Sequence, residues 1–231
     1  KARVATRGMA NSRKKRLDKM EILEKPREKT TASFSFREAR TPSRTIVEAK
    51  GLVLGYDEAL TRPVDILLER GQKVAIRGVN GLGKSTLLKT LLGEIKPFAG
   101  EVIQGEYLFT GYFEQESTRH NTNTAIEEVW QEYPGMTNYE VRAALARCGL
   151  TNEHITSQIM VLSGGESAKV RLCKLMLKDI NWLVLDEPTN HLDVEAKAEL
   201  KRALQEFKGT ILLVSHEPEF YEDWVTHIWN V

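Results

Sequence analysis

The chain has 231 residues, 41% hydrophobic and 28% charged, with a net charge of +1. That is the composition of one large or two small water-soluble domains able to bury a core. It excludes membrane insertion by helices, since no apolar run approaches the roughly 18 residues a spanning helix needs. No signal peptide opens the chain, because Lys1 to Arg16 is basic with no apolar stretch behind it. The two cysteines, Cys148 and Cys173, make no disulfide scaffold and no metal-ligand spacing; reduced thiols in helices of a cytoplasmic protein are expected. The near-neutral total hides an asymmetry: residues 1–50 hold 15 Lys+Arg against 6 Asp+Glu, the remainder 18 against 26. A basic segment thus leads an acidic domain, a pattern suited to contact with nucleic acid or an anionic membrane, or to a solvated charged helix. With no initial methionine and an abrupt stop at Val231, the chain reads as a piece of something longer.

Residues 1–25 read as a helix, with Leu17, Met20 and Leu23 as a narrow apolar stripe opposite Arg13, Lys14, Lys15, Arg16 and Lys19. Pro26 ends it. Residues 27–45 are polar and read as a linker, although Phe34 and Phe36 alternate as in a short strand. This divides the chain into a basic helical linker segment with an extended tail, 1–44, and a folded domain, 45–231. Ile46-Val47-Glu48-Ala49 and Leu52-Val53-Leu54 predict a strand pair or one kinked strand; Ile66-Leu67-Leu68, closed by Gly71, predicts another. Lys73-Val74-Ala75-Ile76 is a strand, and Leu87 to Leu92 a helix. Pro97 and Gly100 mark a turn, and Glu101-Val102-Ile103 and Tyr107 to Phe113 read as strands. Helices are expected at 124–133, 138–148, 164–177 and 191–207, and strands at 183–185, 211–214 and 227–231. Strands alternating with helices indicate an α/β domain with a largely parallel sheet. The helices between about 120 and 180 interrupt that rhythm and predict a helical subdomain.

Between the strand at 73–76 and the helix at 87–92 lies Gly78-Val79-Asn80-Gly81-Leu82-Gly83-Lys84-Ser85-Thr86, which meets the pattern G-x-x-x-x-G-K-[ST] in its proper context. Glycines let successive N–H groups turn inward on a phosphate, and the helix N-terminus adds its dipole. Lys84 supplies a point charge for the β- and γ-phosphates and Ser85 a hydroxyl for Mg²⁺, so the chain binds a nucleoside triphosphate. Leu183-Val184-Leu185-Asp186-Glu187 is an apolar strand ending in two carboxylates. Asp186 at its tip can hold Mg²⁺, directly or through water, and Glu187 can orient and deprotonate an attacking water. Leu162-Ser163-Gly164-Gly165-Glu166 opens a helix as a second anion site, with Ser163 as cap and two glycines leaving N–H groups exposed. One nucleotide cannot easily use both sites, so the second suits a nucleotide held by another domain.

The phosphate loop, Gln115, the Leu162–Glu166 run, Asp186-Glu187 and His216 together resemble the nucleotide-binding domains of ATP-binding-cassette proteins over residues 45–231. The resemblance implies a P-loop core sheet with an antiparallel β subdomain and a helical subdomain. It implies ATP with Mg²⁺ as ligands and hydrolysis of ATP as the reaction. Tyr56 would stack on adenine; Gly78, Asn80, Gly81, Gly83, Lys84, Ser85 and Thr86 would cradle the phosphates. Gln115 would stand near Mg²⁺ and the attacking water, with Ser85 and Asp186 as the other metal ligands. Ser163, Gly164, Gly165 and Glu166 would complete a partner cassette's site, and Asp193 would lie beside it. Glu187 would be the base, and His216 the switch touching the γ-phosphate.

Asn190-His191-Leu192-Asp193 is similar to the F subfamily of these proteins, which act on ribosomes; transporter cassettes more often read Ser-Ala-Leu-Asp there. Val214-Ser215-His216-Glu217-Pro218-Glu219-Phe220 is similar as well, with Pro218 in place of the usual basic residue. The resemblance makes the chain a linker end plus the second of two cassettes, with the first cassette as partner and the ribosome, rRNA and tRNA reached through the basic linker. In isolation such a piece is expected to bind ATP and hydrolyse it weakly unless it pairs with itself. The alternatives are the ATPase subunit of a membrane transporter and a DNA-maintenance scaffold of cassette type, the latter disfavoured by the lack of sustained heptads.

Overall fold

The computed structural model describes residues 31–78, 83–114 and 121–230. The helix expected at 1–25, and Asn80, Gly81 and Gln115, lie outside the described residues. The strands are β1 (Arg37–Glu38), β2 (Thr45–Val53), β3 (Val64–Glu69), β4 (Lys73–Arg77), β5 (Ala99–Gln104), β6 (Thr110–Phe113), β7 (Asp179–Ile180), β8 (Trp182–Asp186), β9 (Thr210–Val214) and β10 (His227–Asn230). The helices are α1 (Lys84–Leu91), α2 (Ala125–Glu132), α3 (Asn138–Arg147), α4 (Asn152–Thr156), α5 (Gly164–Leu177), α6 (Val194–Glu206) and α7 (Pro218–Tyr221).

The central sheet has the order β10-β4-β9-β8-β6, and every pair in it is parallel. Its middle strands β8 and β9 are buried at every position, which is why they read as unbroken apolar runs. Because side chains alternate across a strand, each strand serves two cores. Trp182, Val184, Leu212, Val214, Val74 and Ile76 face α1 and the antiparallel sheet. Leu183, Leu185, Ile211, Leu213 and Ala75 face the other side, where α5, α6 and the helical subdomain pack. The loops at the carboxyl ends of β4, β8 and β9 therefore converge, as ligand-binding loops of open parallel sheets do.

The antiparallel sheet has the order β3-β2-β5. Of the two readings of residues 46–54, the kinked strand is the one found: β2 runs through, with its register slipping between Lys50 and Val53. Gly100, expected in a turn, lies within β5 at φ 82°. A Cβ there would stand 2.3 Å from the Gly51 carbonyl oxygen, so the two strands approach closely only because position 100 is glycine.

Three expectations shift. Tyr107 to Phe109 is not strand, because Asn181 takes its hydrogen bonds: Asn181 Nδ2 donates to the Tyr107 carbonyl (2.8 Å) and Asn181 Oδ1 accepts from Phe109 N–H (2.9 Å). The helix expected from 191 starts at Val194, since His191 stands at φ 66° and Asp193 Oδ1 caps from outside by accepting Ala196 N–H at 2.8 Å. The linker reading of 27–45 does not hold for residues 31–44. Phe34 is fully buried in the core beneath the helical subdomain, and Phe36 packs edge-on against Phe207. β1 pairs with β7, and Arg202 Nη2 donates to the Phe34 carbonyl at 3.1 Å. Burying one such ring stabilises by about 1.5–3 kcal/mol, which adds to the β1–β7 pairing and the Arg202 hydrogen bond in holding this polar stretch on the domain.

Candidate functional site

The phosphate loop leaves β4 after Arg77 and enters α1 at Gly83, which holds a left-handed conformation (φ 89°, ψ 19°) that favours glycine. Among the described residues no side chain caps α1 at Gly83. Lys84 Nζ donates to the Gly78 carbonyl at 2.9 Å. Ser85 Oγ donates to Asp186 Oδ2 at 2.6 Å, joining the helix start to the tip of β8. Thr86 is buried, with its hydroxyl 3.4 Å from that of Tyr56.

Glu187 follows Asp186 with a left-handed backbone (φ 50°), and its N–H donates to the Val214 carbonyl of β9 at 3.0 Å. The turn tucks its carboxyl inward, where the side chain is only 8% exposed. His216, just past β9, brings Nε2 to 2.8 Å from Glu187 Oε1. Burial raises the pKa of Glu187; the charge of His216 opposes this and that of Asp186 adds to it. Burial likewise raises Asp186, against the Ser85 hydrogen bond and the charge of Lys84. A buried carboxylate with a hydroxyl oxygen beside it is a hard-oxygen donor set that suits Mg²⁺. Ser85 and Asp186 would hold the ion, which when bound neutralises charge on phosphate oxygens.

These groups line one cleft of about 600 Å³, together with Leu60 and Asn190. Tyr56 is 63% exposed, so its ring is free to take a planar partner. Leu60 was not singled out from the sequence, and Asn190 only as part of the subfamily motif, not as a site residue. Asn190 had a signal in its closeness to Asp186-Glu187 on a short loop; Leu60 had none, arriving through a turn closed by Leu60 N–H to the Leu54 carbonyl at 2.7 Å.

Ser163, Gly164, Gly165, Glu166 and Asp193 line no part of this cleft. Ser163 caps α5 through a reciprocal box: its N–H donates to Glu166 Oε2 at 2.8 Å, and its Oγ accepts from Glu166 N–H at 3.3 Å. Ser163 and Gly164 are exposed. Among the described residues the chain therefore brings the phosphate-loop groups, Asp186, Glu187, His216 and Tyr56 together, and leaves the second glycine-bearing helix end facing elsewhere.

A family model described as ABC transporter matches residues 61–190. The chain belongs to this family. It is 61% identical over 230 residues to the uncharacterized ABC transporter ATP-binding protein YfmM of Bacillus subtilis, covering 100% of this chain and 44% of that protein. It is 40% identical over 234 residues to ABC transporter F family member 2 of Arabidopsis thaliana, covering 98% of this chain and 34% of that one. These relatives place it with the F subfamily, and the chain spans less than half their length. The solved dimeric structure of a bacterial ABC transporter cassette has the same fold, with a TM-score of 0.69 at 20% identity, over 80% of this chain and 94% of that one. The cassette is an ATP-binding one. No described helix is long and apolar enough to cross a membrane.

Proposed function

We propose that this cassette hydrolyses ATP with Mg²⁺, closing on a second cassette so that nucleotide is sandwiched between them, in a cytoplasmic protein that acts on the ribosome. The observation that carries the catalytic part is Glu187, a buried carboxylate held 2.8 Å from His216 at the rim of the cleft that contains Lys84 and Ser85. Tyr56 stacks on the adenine. The N–H groups of the loop and Lys84 take the β- and γ-phosphates. Glu187 draws a proton from a water as that water's oxygen bonds to the γ-phosphorus; the bond from phosphorus to the bridging oxygen breaks, leaving ADP and inorganic phosphate. His216 orients the Glu187 carboxylate and reaches the departing phosphate. Gln115, outside the described residues, is assigned to the water and metal by family likeness alone.

The exposed end of α5 supports the sandwich: a capped helix N-terminus with two glycines, turned away from its own cleft, suits a phosphate that another cassette holds. The ribosomal part rests on the F-subfamily relatives and on the excess of Lys and Arg in residues 1–50, which suits rRNA and tRNA phosphates. The test is to express the two-cassette protein with Glu187→Gln, add ATP and sediment it with ribosomes through a sucrose cushion. ATP-dependent co-sedimentation, strongest for the trapped variant, supports the reading. ATP binding without co-sedimentation overturns the ribosomal part and favours a membrane transporter's ATPase subunit.

A further inference from the structure

β10, β4 and β9 lie side by side in the central sheet, so the residues at their carboxyl ends are neighbours. Arg77 ends β4 in register with Asn230, which ends β10, and Ser215 and His216 follow β9. Side chains alternate along β4, so Arg77 shares the face of Ala75, which looks toward α6 and α7 and away from α1. There Arg77, Ser215, His216, Asn230 and Tyr221 of α7 line a second cavity, of about 500 Å³. Among the described residues, His216 alone lines both this cavity and the nucleotide cleft.

The second cavity is rich in donors, and no carboxylate among the described residues lines it. Arg77 brings a guanidinium, Asn230 an amide NH₂, and Tyr221 and Ser215 hydroxyls. Ser215 Oγ accepts from Glu217 N–H at 3.2 Å, which leaves its own proton to give. Of the acidic groups around α7, Glu217 is held by Lys197 at 2.7 Å and Asp223 by Lys201 at 2.8 Å, and Glu219 and Glu222 line no part of the cavity. Burial raises the pKa of the Tyr221 hydroxyl, and the charge of Arg77 opposes this. Arg77 is exposed, so the cavity opens to solvent. One cation with several neutral donors and no acid in the lining suits a tetrahedral oxyanion.

We infer that this cavity receives the inorganic phosphate that hydrolysis leaves in the cleft, with Arg77 as its cation. The inference rests on the hydrolytic reading above and adds to it where the product goes. In the cleft the free phosphate is left beside the carboxylates of Asp186 and Glu187, while Lys84 stays with the phosphates of ADP. Like charges in a walled site repel strongly. Past His216, Arg77 offers the opposite charge in a lining without carboxylates. His216, common to both cavities, is the residue the phosphate passes on its way to solvent.

The test uses the two-cassette protein. Equilibrium dialysis of its ADP-bound form against radiolabelled inorganic phosphate reads the site without turnover. Arg77→Gln is expected to weaken phosphate binding by about tenfold, the loss of one charge-assisted contact. Arg77→Lys keeps the charge and is expected to stay within about threefold of wild type. Tyr221→Phe, which removes only a hydroxyl, should weaken it by about threefold. Then, from ATP, chemical quench reads cleavage and a fluorescent phosphate reporter reads release. The delay between the two should lengthen by about fivefold in Arg77→Gln. Wild-type phosphate affinity in Arg77→Gln would overturn the inference. So would an equal loss of ATP affinity, which would place Arg77 on the bound nucleotide. Weaker phosphate binding with an unchanged delay would leave the site off the exit path and overturn the route. Failure of the hydrolytic reading is recognised separately, by wild type and Glu187→Gln forming phosphate at the same rate; the dialysis still decides whether the cavity binds phosphate.

Discussion

Two helices of this domain begin with glycine-bearing, phosphate-competent N-termini, and they are finished differently. α1 has no side-chain cap; its first turn is surrounded by the chain's own Lys84, Asp186, Glu187 and His216. α5 has a complete capping box, is exposed at Ser163 and Gly164, and carries His191 against its two glycines. An uncapped helix start inside a walled cleft is a receptor, because its donors wait for a ligand. A capped start at the surface is stable on its own, and its dipole is available to something brought to it. On the proposed reading the first gathers this chain's own site residues, and the second is what this chain offers to a partner's nucleotide.

Four substitutions break or sharpen that contrast. The largest effect is expected from Glu187→Gln, which removes the proposed base and leaves Lys84, Ser85 and Asp186 in place. Turnover should fall by about a thousandfold, about 4 kcal/mol in barrier, with ATP still bound; single-turnover assays with a nucleotide filter-binding control check this. Next, Lys84→Ala removes the cation from the α1 site and should weaken nucleotide binding by about a hundredfold, as read by titration with a fluorescent ATP analogue. Smaller again, Ser85→Ala should raise the Mg²⁺ concentration needed for half-maximal activity by about tenfold while binding without metal changes little. The smallest is Ser163→Ala, which removes the α5 cap: about 1 kcal/mol of stability should be lost in urea unfolding, with nucleotide affinity of the cassette unchanged. Equal loss of nucleotide affinity from Lys84→Ala and Ser163→Ala would erase the distinction between the two helix ends.

Much of the α1 site was legible in the sequence because its chemistry is local. Gly83 to Thr86 sit on consecutive positions, and Asp186-Glu187 close an apolar run that a buried strand requires. The Ser163 cap was legible for the same reason, being set by the residue that opens the helix. What sequence could not supply was long-range. Phe34 sits in a polar stretch and reads as linker, yet its ring fills a core built mostly from distant residues such as Leu145, Leu172 and Leu204. Tyr107 to Phe109 has strand composition and is not strand, because the distant Asn181 claims its backbone. The role of Gly164 was visible as an exposed N–H, and its contact with His191 was not, since nothing local relates positions 164 and 191.

By itself, then, the sequence determined most of the longer elements, the phosphate-loop motif and the order of the site residues, because hydrogen-bond spacing, glycine φ and side-chain periodicity all act within a few residues. Only the tertiary structure decided which of two anion-ready helix ends faces the chain's own carboxylates. That choice is fixed by how α1 and α5 pack on opposite sides of one parallel sheet, whose alternating side chains belong to two separate cores.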